Sequence, residues 1–137
     1  MTEAVAEIGI AVVCHQRSVL VGTRHADQTL AGRAEFPGGQ CEVGESPREA
    51  AVRECHEETG MSVVAVRLLD EQRHTYPHGC VHLHFWLCES SHADKSLTGT
   101  GFQWTALDQL AQLDFPEANQ RVLRLLQQFP EDHPNNS

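Results

Sequence analysis

A chain of 137 residues suits one domain and is too short for two hydrophobic cores of ordinary size. The formal net charge of −9 at pH 7 argues against a protein that tracks a polynucleotide, because such proteins gather basic residues against the phosphates. A small anionic substrate remains compatible with this charge, provided that a divalent cation bridges the substrate to the protein.

The cysteines and the N-terminal segment predict where the protein resides. The 5 cysteines are odd in number and include no CxxC pair, so neither a disulfide framework nor a zinc ribbon is indicated. The segment MTEAVAEIGI has acidic residues where a signal peptide carries basic ones, and no apolar run reaches the length of a membrane span. We therefore expect a cytoplasmic protein without a membrane partner.

The first half of the chain predicts two strands followed by a helix. IGIAVVCH and QRSVLVGTR are apolar runs rich in β-branched residues, separated by a polar break that fits a tight turn. Ser46 is a good N-cap, Pro47 fits the first helical turn, and Glu49 completes a capping box with Ser46. Gly60 provides a C-terminal stop, so we expect the helix between these residues.

The second half of the chain returns to strands and ends in helices. SVVAVRLL and EQRHTYPHGCVHLHFWLCE predict strands, and the longer segment forms a hairpin with its turn near residues 77–79. TALDQLAQL and PEANQRVLRLLQQF have helical spacing. We expect an α/β protein of the α+β kind, with residues 1–130 in one domain and residues 131–137 as a disordered tail.

Three glutamates of the predicted helix share one face. Glu54, Glu57 and Glu58 stand at i, i+3 and i+4, which allows their carboxylates to converge on one site. Clustered carboxylates suit a hard cation such as Mg²⁺, with Mn²⁺ as a second choice, because the cation removes their mutual repulsion. Arg53 can also pair with Glu57 across one turn. A solvated acidic face is the alternative interpretation of the same three glutamates.

The spacing around these glutamates is more specific than their number. It follows the pattern GX5EX7REUXEEXGU, where U is a bulky apolar residue, at Gly39, Glu45, Arg53, Glu54, Cys55, Glu57, Glu58, Gly60 and Met61. The pattern resembles the signature of the Nudix hydrolase family. The segments EFPGG, HLHFWL and DFPEAN extend the resemblance to the MutT branch of that family, over about residues 5–129.

This resemblance implies a fold, an activity and a substrate. The Nudix fold is a mixed β-sheet sandwiched between α-helices. The MutT branch implies Mg²⁺-dependent hydrolysis of a nucleoside triphosphate to the monophosphate and pyrophosphate, with oxidised purine nucleotides such as 8-oxo-dGTP as substrates. Cleavage of a phosphoanhydride requires charge neutralisation and a positioned water rather than a covalent nucleophile, which agrees with a metal-binding carboxylate helix.

The resemblance also implies roles for residues of the signature. The metal ligands would be one backbone carbonyl and three carboxylates, from Gly38, Glu54, Glu57 and Glu58. Glu54 would in addition orient or deprotonate the attacking water. The catalytic set would therefore comprise Glu54 and Glu57, with Glu45 and Arg53 in support.

Three further residues match positions that the resemblance links to the substrate. Arg24 would lie near the nucleotide, or would be an ordinary exposed arginine at a strand end. Phe36 would contact the base, or would pack beneath the FPGG turn. Asn119 would read the oxidised base, or would be an ordinary polar residue at a helix start.

The chemistry of an amide explains how Asn119 would discriminate. Guanine offers two acceptors, O6 and N7, whereas oxidation at C8 places a hydrogen on N7. An asparagine amide can then donate to O6 and accept from N7–H, which it cannot do with the unoxidised base.

Cys80, His82 and His84 alternate along one predicted strand and should face the same side. We expect packing or surface roles rather than a zinc site, because one extended strand rarely closes a tetrahedral site alone and no fourth ligand is evident in the sequence.

Two departures from the MutT pattern leave other functions open. Gly79 stands where that branch has an arginine, and Thr98 stands where it has an acidic residue. One alternative is a Nudix pyrophosphohydrolase that acts on cytidine nucleotides, since HLHFWL fits that branch as well. Another is a non-catalytic nucleotide-binding module, although such a module would have little need for all the glutamates of the signature. We expect no polynucleotide partner and a monomer or small homo-oligomer.

Overall fold

The computed structural model describes residues 5–23, 32–77 and 79–129. It contains seven strands, which are β1 (Val5–His15), β2 (Ser18–Thr23), β3 (Ala34–Glu35), β4 (Gly38–Gln40), β5 (Val64–Tyr76), β6 (Gly79–Glu89) and β7 (Phe102–Ala106). The helices are α1 (Pro47–Thr59) and α2 (Gln120–Gln127), with 3₁₀-helices at Leu107–Gln112 and Glu117–Asn119. Among the described residues, no helix is both long enough and apolar enough to cross a bilayer.

Strand β1 lies at the centre of a mixed sheet. It pairs in parallel with β6, and β6 pairs antiparallel with β5. At its other edge β1 pairs antiparallel with β4 and, near its end, with β2, which continues to β3 and β7. The turn from β1 to β2 contains Gln16 and Arg17 at φ 48° and 62°, which confirms the tight turn predicted from the polar break.

The core is divided between the two faces of this sheet. On one face, α1 packs against side chains of β1, β2 and β6, with buried members that include Ala11, Val13, Leu20, Ala51, Cys55 and Met61. On the opposite face, α2 and the longer 3₁₀-helix cover a second cluster that includes Val12, Phe85, Leu110, Val122 and Leu126. The sheet is therefore sandwiched between helices, and the predicted fold class is confirmed.

Helix α1 begins and ends where the sequence predicts. The Ser46 side chain accepts a hydrogen bond from the Glu49 backbone, and the Glu49 side chain accepts one from the Ser46 backbone. These two bonds form the predicted capping box, with Pro47 at the first helical position. The helix ends at Gly60, which is left-handed at φ 76°.

Two predicted elements differ from the structure. The segments predicted as separate strands around residue 70 form one continuous strand, β5, which absorbs register shifts between Ala65 and Arg67 and between Leu68 and Asp70. TALDQLAQL is not a helix throughout, because Thr105 and Ala106 complete the pairing of β7 with β2 before a 3₁₀-helix begins. Sheet pairing thus outweighs the helical spacing of that segment. The predicted tail at residues 131–137 lies outside the described residues.

Helix α1 can lie close to β1 because residue 9 is a glycine. A Cβ atom at Gly9 would collide with the backbone oxygen of Pro47 and would lie 2.8 Å from the backbone nitrogen of Ala51. Backbone atoms of a packed helix cannot rotate away as a flexible side chain can, so any larger residue would have to displace the helix.

Gly9→Ala is therefore expected to lower the free energy of unfolding by about 1–3 kcal/mol, the usual cost of overpacking. Ala6→Gly in the same strand is the control for the difference in backbone entropy between alanine and glycine. It should lower the free energy of unfolding by roughly 0.5–1 kcal/mol. Urea denaturation measures both changes. A Gly9→Ala protein that is more stable than the wild type would contradict the close approach of α1 to β1.

Candidate active site

Two carboxylates of α1 meet above strand β4. Glu54 and Glu58 lie one helical turn apart, and their carboxyl groups are joined by a hydrogen bond. The Glu54 carboxyl lies directly against Gly39, where any Cβ atom would collide with it. The backbone N–H of Gly38 donates a hydrogen bond to Glu58. A glycine at position 39 therefore makes the space in which the acid pair is held.

This arrangement changes the protonation of Glu58. Burial raises the pKa of the Glu58 carboxyl to about 8, and the hydrogen bond and negative charge of Glu54 add to this effect. Glu35, at the end of β3, contributes further negative charge, whereas the Gly38 N–H favours the ionised form. The Glu54–Glu58 pair thus retains a proton at neutral pH when no cation is bound. Glu35 is a member of this acidic cluster that the sequence analysis did not identify.

Arg53 links the remaining acids of the signature. Its guanidinium donates to both carboxylate oxygens of Glu45, at 2.8 and 2.9 Å, and contacts Glu54 at 3.1 Å. It also reaches Glu57 at 3.1 Å, so the predicted pair across one turn is present. Hydrogen bonds from Arg53 hold the pKa of Glu45 below its usual value, and those carboxylates in turn raise the pKa of Arg53. Arg53 therefore fixes the loop before α1 to the acidic face of the helix.

Only some of the predicted metal ligands lie close together in the structure. Glu54 and Glu58 form a pair beside β4, which contains Gly38. The side chain of Glu57 is 56% exposed and is directed to Arg53. A cation at this site would meet oxygen atoms from the glutamates, which are the ligands that Mg²⁺ and Mn²⁺ prefer, and it would replace the proton that the pair retains.

Asn119 lies at the start of α2, where it is only 9% exposed. It precedes the first residue of the helix, but its side chain makes no capping hydrogen bond. The preceding backbone is fixed because the Gln72 amide donates to the Ala118 carbonyl at 2.6 Å. A buried amide that is not used to cap its own helix remains suited to bind another group.

Strand β5 fixes this end of α2 through a second contact. The Arg121 guanidinium donates to the Asp70 carboxylate, which also accepts from Gln72 at 2.8 Å. Burial alone would raise the pKa of Asp70, but the hydrogen bonds from Arg121 and Gln72 outweigh it and hold that pKa below its usual value. Asp70, Gln72 and Arg121 were not identified from the sequence, because their contacts join segments far apart in the chain.

Of the two other predicted substrate residues, only Phe36 lies in the part of the chain that the structure describes. The Phe36 ring is 6% exposed and packs at a tilt against Phe115, with ring centroids 4.9 Å apart. Phe36 therefore packs into the core, and its contact with a base stays a prediction. Arg24 lies outside the described residues. Thr98, one of the departures from the MutT pattern, is exposed and accepts a hydrogen bond from Ser96.

The alternating residues of β6 have partners that the sequence did not reveal. His82 and His84 point to carboxylates on the two neighbouring strands, Glu7 of β1 and Glu71 of β5. Cys80 does not join them, since its thiol is directed to the Val81 carbonyl. The expectation that no further ligand stands near these histidines was wrong, because residues remote in sequence are brought beside them by strand pairing.

Comparisons with known proteins agree with this architecture. The family model described as the NUDIX domain matches residues 9–125. The chain is 32% identical to an 8-oxo-dGTP diphosphatase of Escherichia coli, over 90% of this chain and 97% of that protein. It is also 32% identical to a CTP pyrophosphohydrolase of E. coli, over 58% of this chain and 59% of that protein.

A solved structure is similar over nearly the whole fold. The solution structure of a protein titled DNA mismatch repair protein MutT, of the Nudix hydrolase family, comes from methicillin-resistant Staphylococcus aureus. It superposes with a TM-score of 0.74 at 23% identity, over 91% of this chain and 97% of that one. With a family model that spans most of its length and a relative that aligns almost end to end, this chain belongs to the Nudix family.

Proposed function

We propose that this Nudix hydrolase cleaves nucleoside triphosphates to the monophosphate and pyrophosphate with Mg²⁺, and that its preferred substrates are oxidised purine nucleotides such as 8-oxo-dGTP. The observation that carries this proposal is the convergence of the Glu54 and Glu58 carboxyl groups beside the glycines of β4. The similarity to an 8-oxo-dGTP diphosphatase supports the choice of substrate. Residues 1–130 would form a single catalytic domain, which is supported by the two core clusters packed on one sheet.

The residues that would hold Mg²⁺ are the Gly38 carbonyl with Glu54, Glu57 and Glu58. Mn²⁺ suits the same oxygen ligands. When bound, the cation neutralises the negative charge that develops on the phosphate oxygens during cleavage. Glu57 is the most exposed of these carboxylates, and it would exchange its contact with Arg53 for this role.

Glu54 is the candidate base. Its carboxylate lies between Glu58, Arg53 and Gly39, and it is 19% exposed, so water reaches it. Glu54 would accept a proton from the attacking water as the new P–O bond forms. The anhydride P–O bond then breaks, and its electron pair leaves with pyrophosphate. Positioning of the water and of the base would accelerate the reaction, so no covalent nucleophile is needed.

Arg53 and Glu45 would support this chemistry without touching the substrate. The two-pronged contact between them fixes the guanidinium, which can then hold Glu54 in place. Arg53 is thus a positioning residue in this proposal.

Recognition of the base would depend on Asn119, which follows the Ala118 carbonyl held by the Gln72 amide. The amide would donate to O6 and accept from N7–H of an 8-oxoguanine base. Phe36 would support this pocket from the core side, through its contact with Phe115. Arg24, which follows β2 in the sequence, would contact the nucleotide.

Cytidine nucleotides are the second candidate substrates. The CTP pyrophosphohydrolase of E. coli is as similar in percentage identity as the 8-oxo-dGTP diphosphatase, although over a shorter segment.

The free thiols of the 5 cysteines are compatible with a cytoplasmic enzyme, since reducing compartments keep cysteines unpaired.

Glu54→Gln is expected to lower turnover by about 10²–10⁴-fold, the usual contribution of a general base. Glu49→Gln is the matched control, because it lies on the same helix and glutamine also fits a capping box. Turnover with saturating Mg²⁺ and thermal unfolding of each protein provide the measurement. Near wild-type turnover in folded Glu54→Gln would exclude Glu54 as the base.

Binding of Mg²⁺ is expected to release a proton near pH 7, because the pKa of Glu58 is about 8 and the cation must replace that proton. The affinity for Mg²⁺ should therefore rise with pH and level off above pH 8, where Glu58 is already ionised. Isothermal titration calorimetry in buffers of different ionisation enthalpy measures the release. Glu58→Gln should abolish it, and release that persists in this variant would assign the proton to another group.

Asn119→Ala is expected to lower the preference for 8-oxo-dGTP over dGTP by about 10–100-fold, the consequence of losing a buried hydrogen-bonding partner. Gln109→Ala is the control, an exposed amide in the longer 3₁₀-helix. The measurement is kcat/KM for both nucleotides. A wild-type enzyme without preference for the oxidised base would favour cytidine substrates, and an unchanged preference in Asn119→Ala would remove Asn119 from recognition.

A further inference from the structure

A second group of potential metal ligands lies on the face of the sheet that carries α1. Glu7 on β1 stands directly opposite His82 on β6, and His84 stands opposite Glu71 on β5. All four residues face the same side, because Trp86 and Cys88 follow the histidines at alternate positions and pack in the cluster beneath α1. The group spans three adjacent strands.

The two imidazole rings lie between the two carboxylates. An oxygen of Glu7 is 2.7 Å from Nε2 of His84 and 3.1 Å from Nδ1 of His82. An oxygen of Glu71 is 3.1 Å from Nε2 of His82 and 3.5 Å from Nδ1 of His84. The ring centroids are 4.0 Å apart. Each ring therefore presents one nitrogen to each carboxylate.

With both rings neutral, the four contacts between ring nitrogens and carboxylates outnumber the protons that can donate to them. A neutral imidazole carries one N–H, so two neutral rings can donate only two hydrogen bonds to the carboxylates. The remaining nitrogens are acceptors that face carboxylate oxygens, which are also acceptors. A cation between those nitrogens and a carboxylate would satisfy all of these atoms without protonating either histidine.

We propose that Glu7, His82 and His84 bind one divalent transition-metal ion, with Zn²⁺ the best fit, at a site separate from the acidic face of α1. The three ligand atoms lie within 4.8 Å of one another. In a tetrahedral zinc site with bonds of about 2.0–2.1 Å, ligand atoms are roughly 3.3 Å apart. The separations of 2.7 and 3.1 Å from Glu7 need only small side-chain shifts to reach that value.

Glu71 completes the site as a positioning residue. Histidines that bind zinc usually donate their other N–H to a carboxylate, which fixes the ring orientation and tautomer. Glu71 lies on that far side of both rings. Three protein ligands leave a fourth position for water, so the ion would join β1 and β6 while remaining accessible to solvent.

The donor atoms separate this site from the proposed Mg²⁺ site. Imidazole nitrogen favours zinc and its neighbours in the transition series, whereas Mg²⁺ favours oxygen alone. The side chains of His82 and His84 are 14% and 12% exposed, so binding needs little desolvation of the rings beyond what folding has already caused. An excess of Mg²⁺ should therefore leave this site free for Zn²⁺.

Chelator-stripped protein in millimolar Mg²⁺ should bind one equivalent of Zn²⁺ in a titration followed by elemental analysis after desalting. His82→Gln and His84→Gln should each lower the Zn²⁺ affinity by at least about 100-fold, and Glu71→Gln by about 10–100-fold as expected for an orienting partner. His92→Gln, an exposed histidine, and Glu58→Gln should leave it unchanged.

Two results would overturn the proposal. One is wild-type protein that retains no Zn²⁺ under these conditions, and the other is Zn²⁺ that stays bound in the double variant His82→Gln/His84→Gln. Co²⁺ bound to the wild-type protein decides the matter if a variant fails to fold. Intense visible bands of a tetrahedral ion with nitrogen ligands support the site, and weak bands of an octahedral ion with oxygen ligands contradict it.

Discussion

The close approach of helix α1 to the backbone of β1 and β4 is the constraint on which the acidic site depends. Gly9 lets the start of the helix lie against β1, and Gly39 leaves room for the Glu54 carboxyl beside β4. Without these two glycines the helix would have to lie farther from the sheet, and Glu54 and Glu58 would be more exposed to water. Gly39, the first residue of the family signature, thus has to be small because it leaves room for a side chain. The side chain that fills this room is that of Glu54.

That packing creates an electrostatic problem within a protein that already has a net charge of −9. Arg53 compensates Glu45, Glu54 and Glu57 by direct contact, but half-buried Glu58 lies beside Glu54, and its raised pKa favours the protonated form. An acid pair that must be either protonated or bound to a cation is poorly suited to a purely structural role. The same features that disfavour the ionised pair would suit it to bind a divalent cation, as we propose.

The sequence predicted the local features well because their causes are local. The capping box of Ser46 and Glu49, the stop at Gly60 and the pairing of Arg53 with Glu57 all involve residues a few positions apart. The turn between β1 and β2 was predicted for the same reason. The Nudix fold itself was implied by the resemblance of the glutamate spacing to the family signature.

Features that depend on strand pairing were missed or misassigned. The helical spacing of TALDQLAQL was overridden by the ladder between β7 and β2. The partners of His82 and His84 come from strands that lie far away in the chain, so their register could not be known beforehand. The proximity of Glu35 to Glu58 and the contact of Asp70 with Arg121 were also missed, because they join a strand to a helix far away in the chain.

Identification of the products of hydrolysis tests the central claim most directly, namely that the acid pair of α1 serves cleavage of a nucleoside triphosphate. Phosphorus NMR of 8-oxo-dGTP incubated with the protein and Mg²⁺ resolves each phosphate species. The account predicts equal amounts of the nucleoside monophosphate and pyrophosphate, and neither product when Mg²⁺ is replaced by a chelator. Release of inorganic phosphate with a nucleoside diphosphate, or an unchanged substrate spectrum with this and other nucleoside triphosphates, would contradict it.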